Sequence, residues 1–331
     1  MGNNISVVIQ GVGTYLPEKR LTNEDLTEIV ETTDEWIRTR TGISERRVAA
    51  EDESTIDLAE HAAKAAMEDA GVSPDEIDLV IVATITPTMP FPATACLLQA
   101  RLGLRQVMAF DLEAACSGFT YALETAESLI KTGRYQKALI VGAEKITSIL
   151  DWADRSTCVL FGDGAGAAVL SASENTEFGI IDSISRSDGS DPSLLQQPAG
   201  GSALPASQAT IESGDHYLKM RGRDLFKVVV RVVNVLCRDI LERNNLKADQ
   251  IKLIVPHQAN VRMIESMAKH LEISSDKFFV NLDRFGNTSA ASVPIALREA
   301  LDKGLIASGD YVLLVAFGAG LTWSASLIKW Q

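Results

Sequence analysis

Short apolar segments alternate with longer amphipathic segments along the whole chain. Strands are predicted where Val, Ile and Ala run together with few polar positions, as in "ISVVIQGVG", "DLVIVATIT", "VMAFDLEAA" and "KALIVGAEK". A helix is predicted over "TIDLAEHAAKAAMEDAGV", which has apolar residues at helical spacing, Ser54 as its N-cap and Gly71 as its stop. Strands without polar alternation belong to sheets covered on both faces, so the pattern predicts an α/β fold.

The second half of the chain repeats the order of elements in the first. Similar segments are "ADQIKLIVPHQANV" and "PDEIDLVIVATITP", and likewise "GDYVLLVAFGAG" and "YQKALIVGAEK". The stretch "KFFVNLDRFGNTSAASVPIALREAL" resembles the one around Cys116, with Asn287 near the place of the cysteine. This duplication predicts two similar α/β halves, residues 1–175 and 176–331. A Gly-, Ser- and Pro-rich stretch, 187–215, predicts a long surface excursion to which we assign no function.

Composition and charge exclude several classes of function. The net charge of -13 argues against general binding to nucleic acid or to anionic membranes. No apolar run is long enough to span a bilayer, and the N-terminal residues do not have the pattern of a signal peptide. The four cysteines are far apart and none lies in a C-x-x-C motif, so we expect no disulfide, no structural metal site and a reducing, cytoplasmic location.

One cysteine lies where chemistry is expected. In "AFDLEAACSGFTYALETAESLIKTG", Cys116 follows a predicted strand and precedes a predicted helix. Free backbone N–H groups and the helix dipole favour negative charge at that point, so the position suits a thiolate nucleophile. An ordinary buried thiol is the alternative.

Two further polar residues follow buried segments in the second half. His257 comes directly after "IKLIVP", and side chains at the ends of such strands commonly face the binding crevice. Asn287 lies in "RFGNTSAAS" before a predicted helix, where a turn or N-cap asparagine is the alternative. The small residues of "AFGAGLTWSA" allow a backbone N–H to approach a ligand, as an oxyanion hole requires.

Three of these motifs together resemble a known family. The segments "EAACSGF", "VPHQANVRMIE" and "RFGNTSAASVP" resemble the active-site blocks of β-ketoacyl-acyl carrier protein synthase III, the initiating condensing enzyme of bacterial-type fatty acid synthesis. The similarity continues through "TTDEWIRTRTGISERR", "LDWADRSTCVLFGDGAGAAVL" and "AFGAGLTWSASLIKW". The resemblance implies the thiolase-like fold, with duplicated halves in five α-β-α-β-α layers, and usually a homodimer. It implies no resident cofactor or metal, since acyl-coenzyme A is a substrate.

The resemblance also implies roles for individual residues. Cys116 is expected to be the nucleophile, His257 and Asn287 the other catalytic residues, and the backbone N–H groups of Cys116 and Ala319 the oxyanion hole; many relatives have glycine where Ala319 stands. The coenzyme A channel is expected to contain Trp36 and Arg155 on either side of the adenine, together with Thr32, Arg40, Phe226 and Asn260. Phe161 and Phe91 are expected in the acyl pocket, with Phe91 reaching into the pocket of a partner subunit and favouring short primers such as acetyl.

The implied reaction has two parts. Cys116 accepts an acyl group from coenzyme A, and malonyl-acyl carrier protein then loses carbon dioxide to leave an enolate. His257 Nε2 and the Asn287 amide are expected to donate hydrogen bonds to the enolate oxygen. The carbanion attacks the acyl group on Cys116 and gives a β-ketoacyl-carrier protein.

A basic stripe is predicted on the helix "GRDLFKVVVRVVNVLCRDIL". Its basic residues fall within roughly 80° of one another on a helical projection: Arg223, Lys227, Arg231 and Arg238. Carrier proteins are acidic, so we expect this stripe, extended by Arg262, to be their docking surface. A buried helix with one basic edge in solvent is the alternative.

Other classes of protein remain open at this point. A thiolase has the same architecture but is expected to carry a second catalytic cysteine near the C-terminus, where this chain reads "FGAGLTW". A type III polyketide synthase or a condensing enzyme of a specialised pathway uses the same Cys, His and Asn. A cysteine hydrolase also uses these residue types, and a non-catalytic binding protein would be expected to have lost one of them.

Overall fold

The computed structural model describes residues 5–331. Its strands are β1 (Ser6–Tyr15), β2 (Arg20–Thr22), β3 (Glu45–Arg47), β4 (Leu79–Ala83), β5 (Met108–Leu112), β6 (Lys137–Glu144), β7 (Gly164–Ser173), β8 (Gly179–Ser187), β9 (Leu195–Gln196), β10 (Lys219–Met220), β11 (Ile251–Pro256), β12 (Tyr311–Gly318) and β13 (Thr322–Lys329). Its α-helices are α1 (Asn23–Thr27), α2 (Asp34–Thr41), α3 (Thr55–Ala70), α4 (Thr94–Arg101), α5 (Gly118–Lys131), α6 (Gln208–Glu212), α7 (Gly222–Arg243), α8 (Val261–Leu271), α9 (Leu282–Phe285) and α10 (Ser292–Asp302).

Two mixed sheets have the same strand arrangement. The first has the order β1-β7-β6-β4-β5, in which β4 runs parallel to β5 and β6 while β7 is antiparallel to β1 and β6. The second has the order β8-β13-β12-β11, with β11 parallel to β12 and β13 antiparallel to its neighbours. Phe278 forms a parallel bridge with Ile254 at the place that β5 holds in the first sheet. The predicted duplication of the fold is therefore confirmed.

The helices form layers on both sides of each sheet. The apolar faces of α5 and α10 pack between the two sheets in one continuous core. Helices α3 and α4 cover the outer face of the first sheet, and α7 and α8 cover that of the second. Because each sheet is covered on both faces, its strands are apolar throughout, as the sequence predicted. The result is the five-layered α-β-α-β-α arrangement of the thiolase-like fold.

Local signals for helix α3 are confirmed in detail. The Asp57 carboxylate accepts hydrogen bonds from the backbone N–H and the hydroxyl of Ser54, at 2.7 and 2.6 Å. Gly71 ends the helix in the left-handed conformation, with a φ of 63°. Helix α3 also lies very close to β1, because a Cβ at Gly13 would lie 2.1 Å from the backbone nitrogen of Ala66.

The predicted 187–215 excursion has more structure than its composition suggested. It contains β9 and α6, and β9 pairs with β10 just beyond the excursion. Its Leu194 is buried, so part of the segment packs onto the body of the protein. No helix within residues 5–331 is both long and apolar enough to cross a membrane. The expectation of no signal peptide also involves residues 1–4, which lie outside the described part of the chain.

Candidate active site

Cys116 lies in a short turn that joins a strand to a helix, as predicted. The turn is a single 3-10 turn over Ala115–Ser117, between β5 and the first residue of α5 at Gly118. Ala115 has a φ of 46°, and its N–H donates to Glu113 Oε1 at 3.0 Å. This turn holds Cys116 at the N-terminus of α5, where its side chain is only 5% exposed.

The second half contains the same turn in front of α10. Ser289 has a φ of 50°, and its N–H donates to Asn287 Oδ1 at 2.8 Å. The residue equivalent to Cys116 is therefore Ala290, and Asn287 is equivalent to Glu113. Because Asn287 Oδ1 accepts the Ser289 N–H, its Nδ2 is left as a donor for a ligand.

His257 follows the last residue of β11 and is almost fully buried. Its N–H donates to the Val315 carbonyl at 2.7 Å, and its ring meets Phe317 edge-on at 5.0 Å. Its Nδ1 lies 2.6 Å from Ser292 Oγ, which also accepts the Gln258 N–H at 3.4 Å. The Ser292 hydroxyl hydrogen is thus free to point at Nδ1, which leaves the hydrogen of the neutral ring on Nε2. Burial lowers the pKa of His257 to about 3, so the ring is neutral near pH 7.

Two adjoining cavities meet at Cys116. One, of about 360 Å³, is lined by Cys116, His257 and Asn287 together. The other, of about 630 Å³, extends from Cys116 in another direction between mostly apolar walls. Phe161 and Leu195 line both cavities. The structure therefore brings the three predicted catalytic residues to one space and gives Cys116 a second, apolar space beside it.

The protonation state of Cys116 differs from the expectation. Burial raises the pKa of the thiol to about 12, and the nearby Glu144 carboxylate acts in the same direction. A hydrogen bond from Ser289 and the backbone N–H of Cys116 lower the pKa, but by less than burial raises it. The resting residue is a thiol, so the prediction of a thiolate from the helix N-terminus alone is wrong. Desolvation of the charge outweighs the favourable dipole.

The segment after β12 lies directly against the Cys116 turn. A Cβ at Gly318 would lie 2.6 Å from the Cys116 backbone nitrogen, so only glycine allows this approach. Thr322 Oγ1 lies 2.8 Å from the Ala114 carbonyl and 3.1 Å from the Ala319 carbonyl, which ties the two segments together. Ala319 lines the larger cavity and has no positive φ, so an alanine fits there without backbone strain.

Two arginine side chains contact the ring of Trp36, which lines the smaller cavity. The guanidinium carbons of Arg40 and Arg155 lie 4.7 and 4.8 Å from its ring centroid, and Arg155 also donates to the Glu31 carbonyl at 2.8 Å. A flat ring between Trp36 and Arg155 needs about 7 Å, twice the van der Waals separation. An adenine placed between these two side chains, as the resemblance implies, would require Arg155 to move away from Trp36.

The remaining predicted channel residues divide into two groups. Phe226 and Asn260 line the smaller cavity together with Trp36 and Arg40, whereas Thr32 does not line it. The Asn260 side chain caps α8 by accepting the Arg262 N–H at 2.9 Å and donates to the Arg40 carbonyl at 3.0 Å. The structure thus unites four of the six predicted channel residues at the cavity.

The two predicted acyl-pocket residues have opposite environments. Phe161 is buried at the junction of the two cavities and forms a backbone bridge with Asn287. Phe91 is 84% exposed and lines neither cavity, although the adjacent Pro90 lines the larger one. Within a single chain Phe91 therefore contributes nothing to the pocket.

The predicted basic stripe lies on the exposed side of α7. Arg223, Lys227 and Arg231 are all exposed, and so is Arg262 at the start of α8. Within residues 5–331, Lys227 alone among these four has a carboxylate oxygen within 4.0 Å of its charged group. Its Nζ lies 3.8 Å from Asp224 Oδ1. Within the described residues, the other three basic side chains thus have no direct ion-pair partner.

Several residues of the site were not found from the sequence. Glu144, at the end of β6, follows the same strand-end rule that selected His257, so a signal for it existed. Ser289 and Ser292 had no signal, because small polar residues are common in such turns. Leu195 lies in the excursion for which composition predicted only loop, and Leu218 and Met220 lie just beyond it; these three apolar residues line the cavities.

Among the four cysteines, Cys116 alone lines the two cavities. The part of the chain that the structure describes contains no group of three or more His, Cys, Asp or Glu side chains placed to hold a metal ion. All four cysteines are free; Cys158 and Cys237 are buried, and Cys96 is exposed on α4.

The chain consists of two duplicated α/β halves that share a cavity. One half contributes a cysteine to this cavity, and the other contributes a histidine and an asparagine. These features define the class of thiolase-like condensing enzymes. Family models agree with this class. The model for 3-oxoacyl-[acyl-carrier-protein] synthase III matches residues 110–189, and the model for its C-terminal part matches residues 241–330. A relative from Caldanaerobacter subterraneus subsp. tengcongensis, a β-ketoacyl-[acyl-carrier-protein] synthase III, is 51% identical over the full length of both chains.

A crystal structure of 3-oxoacyl-[acyl-carrier-protein] synthase III from Aquifex aeolicus matches with a TM-score of 0.90 and 48% identity, covering 98% of this chain and 100% of that one. The chain therefore belongs to the β-ketoacyl-acyl carrier protein synthase III family and is a condensing acyltransferase of fatty acid biosynthesis. A priming β-ketosynthase of the R1128 polyketide pathway has the same fold, with a TM-score of 0.90, but only 34% identity over 98% of this chain and 97% of that one. The alternative of a polyketide or specialised-pathway enzyme is thus not favoured.

Proposed function

We propose that this enzyme condenses a short acyl group from acyl-coenzyme A, with acetyl as the expected primer, with malonyl-acyl carrier protein. The product is a β-ketoacyl-carrier protein, formed through an acyl-Cys116 intermediate. One observation carries the proposal. One hydrogen-bonding atom of His257 is occupied by Ser292, the first residue of α10, and one of Asn287 by Ser289, in the turn before that helix. His257 Nε2 and Asn287 Nδ2 are left as donors at the cavity that contains Cys116.

The first half-reaction transfers the acyl group to Cys116. The sulfur attacks the thioester carbonyl, and the backbone N–H groups of Cys116 and Ala319 are proposed to bind the oxyanion. Each such donor contributes about 3 kcal/mol in enzymes from which one has been removed. The close approach of Gly318 to the Cys116 backbone nitrogen supports this role, since it brings the segment that contains Ala319 next to the Cys116 turn.

The second half-reaction needs donors rather than a base. Loss of carbon dioxide creates the carbanion without removing a proton from carbon, and negative charge develops on the malonyl thioester oxygen. A neutral His257 and the Asn287 amide can both donate to that oxygen. The low pKa of His257 supports this role, because a ring that stays neutral keeps a single, fixed Nε2–H.

The two half-reactions provide the test. We expect His257→Ala and Asn287→Ala to accept an acetyl group from acetyl-coenzyme A but to release at least about 100-fold less carbon dioxide from malonyl-carrier protein. Intact-protein mass spectrometry measures the first step and release of labelled carbon dioxide the second. Cys116→Ala should form no adduct. Normal carbon dioxide release in both histidine and asparagine variants, with acylation lost, would contradict the proposed roles.

The channel and the pocket support assignments for the two substrates. We propose that coenzyme A lies along Thr32, Trp36, Arg40, Arg155, Phe226 and Asn260. Phe161 is proposed to limit the acyl pocket from within the chain, and Phe91 from the partner subunit of a homodimer. The 84% exposure of Phe91 supports this proposal, since such a large aromatic side chain is rarely left in water.

We propose that the docking surface for the carrier protein consists of Arg223, Lys227 and Arg231 of the basic stripe together with Arg262. The first three lie on α7, the helix that carries Phe226 at the cavity containing Cys116, and Arg262 lies in the first turn of α8. We also propose a cytoplasmic location, which the four free cysteines support. The division into halves at 175 and 176 is supported by the connection between Ser173, which ends β7, and Gly179, which begins β8.

A further inference from the structure

A buried arginine contacts a wall of the smaller cavity and has no role in the proposed reaction so far. Arg46, on β3, is completely buried, and burial lowers the pKa of its guanidinium to about 10, so it stays charged at neutral pH. Its hydrogen bonds within residues 5–331 go to uncharged oxygens: the Leu21 carbonyl at 3.0 Å, Asn23 Oδ1 at 2.9 Å and the Val159 carbonyl at 2.7 Å. A buried charge is unfavourable unless polar partners compensate it, so each of these contacts holds Arg46 in place.

Asn23 connects Arg46 to a carboxylate at the protein surface. The Asn23 side chain is buried, and its Nδ2 donates to Asp34 Oδ1 and to the Ile43 carbonyl, each at 2.8 Å. Its Oδ1 accepts from Arg46, so both amide hydrogens and the amide oxygen are in use and the orientation of the amide is fixed. The Asp34 side chain is exposed. We call this chain of hydrogen bonds, from Asp34 through Asn23 and Arg46 to the Val159 carbonyl, the Asn23 bridge.

The two ends of the Asn23 bridge belong to different walls of the smaller cavity. Asp34 is the first residue of α2, which contributes Trp36 and Arg40 to one wall. Val159 lines the cavity itself and follows Arg155, whose guanidinium lies over the Trp36 ring. The bridge therefore ties the wall that carries Trp36 to the wall that carries Arg155.

We propose that Asn23 is a positioning residue for the nucleotide of coenzyme A, because the Asn23 bridge fixes the spacing between Trp36 and the backbone that carries Arg155. This inference rests on the proposed function, in which the nucleotide lies between these two side chains. Arg155 also donates to the Glu31 carbonyl at 2.8 Å, a direct contact that changes when Arg155 moves to admit the adenine. The Asn23 bridge does not involve the Arg155 side chain, so it holds both walls in place during that movement.

A change at the Asp34 end of the bridge should leave the site of reaction unaffected. Asp34 is not among the residues that line the two cavities. The segment with Val159 is also held by backbone hydrogen bonds to Asn287. The Asn287 N–H donates to the Leu160 carbonyl at 2.8 Å, and the Gly162 N–H donates to the Asn287 carbonyl at 3.0 Å. Loosening α2 should therefore weaken binding of the nucleotide without slowing acyl transfer.

Self-acetylation by two acetyl donors tests the proposal. The rate is measured against the concentration of acetyl-coenzyme A and of acetyl-pantetheine, which lacks the nucleotide. Asp34→Ala should raise the half-saturating concentration of acetyl-coenzyme A about fivefold, as expected for the loss of one hydrogen bond. The rate at saturation, and the half-saturating concentration of acetyl-pantetheine, should stay at their wild-type values.

Two matched variants separate positioning from charge. Coenzyme A carries negatively charged phosphates, so removal of a carboxylate near the channel should by itself lower the half-saturating concentration, which is the opposite direction. Asp34→Asn removes the charge but keeps an acceptor for Asn23 Nδ2. Glu35→Ala removes an equal charge from the same first turn of α2 and takes no part in the bridge. Neither variant should raise the half-saturating concentration of acetyl-coenzyme A.

A double variant tests whether Asn23 and Asp34 act as one unit. Asn23→Ala should raise the half-saturating concentration of acetyl-coenzyme A at least fivefold, and adding Asp34→Ala to it should cause no further rise. A wild-type value in Asp34→Ala, an equal rise in Asp34→Asn or Glu35→Ala, an equal rise for acetyl-pantetheine, or additive effects in the double variant would overturn the proposal. If the wild-type enzyme has the same half-saturating concentration for both donors, the proposed function of the channel is overturned instead.

Discussion

At the scale of single residues, the direction of each hydrogen bond decides what the site can do. His257 and Asn287 are orientable side chains whose donor and acceptor atoms could be exchanged. Ser292 Oγ occupies one side of the His257 ring, and the Ser289 N–H occupies one side of the Asn287 amide. Ser289 lies in the turn before α10 and Ser292 is the first residue of that helix, so a small movement at this point would disturb both donors together.

The contact at Gly318 allows a prediction at this scale. We expect Gly318→Ala to push the Cys116 turn away from the segment that carries Ala319, since its Cβ would lie 2.6 Å from a backbone atom. Losing one oxyanion donor, worth about 3 kcal/mol, should slow self-acetylation by about 100-fold. Urea unfolding should show a loss of about 1–3 kcal/mol in the free energy of unfolding.

Gly201→Ala is the matched control, because no atom lies within 4 Å of the added Cβ and its φ is not positive. It should keep the wild-type rate. A wild-type rate of acetylation in Gly318→Ala would show that the close approach is not needed for binding the oxyanion.

At the scale of elements, very short strands contribute side chains to the active-site cavity beside those that the long strands and helices contribute. The strands β9 and β10 have two residues each, yet Leu195 and Met220 from this pair line the cavity beside Cys116. They join an apolar cluster with Phe161 and Leu218. Two-residue strands have no periodicity, so a sequence pattern cannot predict them. By contrast, the 22-residue α7 was predicted from its pattern.

Helix α7 allows a prediction about the carrier protein. Lys227→Glu should lower kcat/KM for malonyl-carrier protein by about fivefold at low ionic strength, the equivalent of about 1 kcal/mol, because a rim charge acts mainly on encounter. The loss should shrink as salt is added. Self-acetylation from acetyl-coenzyme A should change much less, which steady-state and single-turnover assays can compare.

Lys252→Glu is the control, because it makes the same change in net charge at an exposed position near the start of β11. His257 follows the opposite end of that strand, so Lys252 lies away from the catalytic residues. It should leave both half-reactions close to wild type. An equal loss in both half-reactions of Lys227→Glu would indicate structural damage, and no loss in either would place the docking surface elsewhere.

At the scale of the whole molecule, one chain leaves a sheet edge and a large aromatic side chain uncovered. Strand β5 pairs on one side only, with β4, and its first residue, Met108, is 47% exposed. Phe91 projects from a loop whose neighbour Pro90 lines the larger cavity. Unpaired strand edges are normally covered, so these features support the proposed homodimer.

The proposed dimer gives a prediction for primer length. Phe91→Thr should raise the ratio of kcat/KM for octanoyl-coenzyme A to that for acetyl-coenzyme A by about tenfold, because it removes bulk from the partner's pocket. Ile211→Thr, at an apolar side chain that is 65% exposed on α6, is the control and should not change this ratio. An unchanged ratio in Phe91→Thr, with the dimer intact in sedimentation, would reject the role of Phe91.

The sequence by itself predicted most of the long elements and selected Cys116, His257 and Asn287, which the structure brings to one cavity. Local periodicity was enough to predict most of the long strands, although not β8, and α3 with Ser54 and Gly71 at its ends, since these depend on nearest neighbours along the chain. Cys116 and His257 could be found because residues at the ends of buried strands occupy predictable places in an α/β fold. The repeated order of elements was enough to predict the duplicated fold.

Only the tertiary structure decided how these residues are connected and charged. Glu144 and Ser289 are 145 positions apart, and no local pattern reports that a strand end and a turn from the other half share a hydrogen bond. The protonation state of Cys116 could not be predicted from the local sequence either. Its place at a helix N-terminus is a local property and favours a thiolate, but its burial depends on everything packed around it, and burial makes it a thiol.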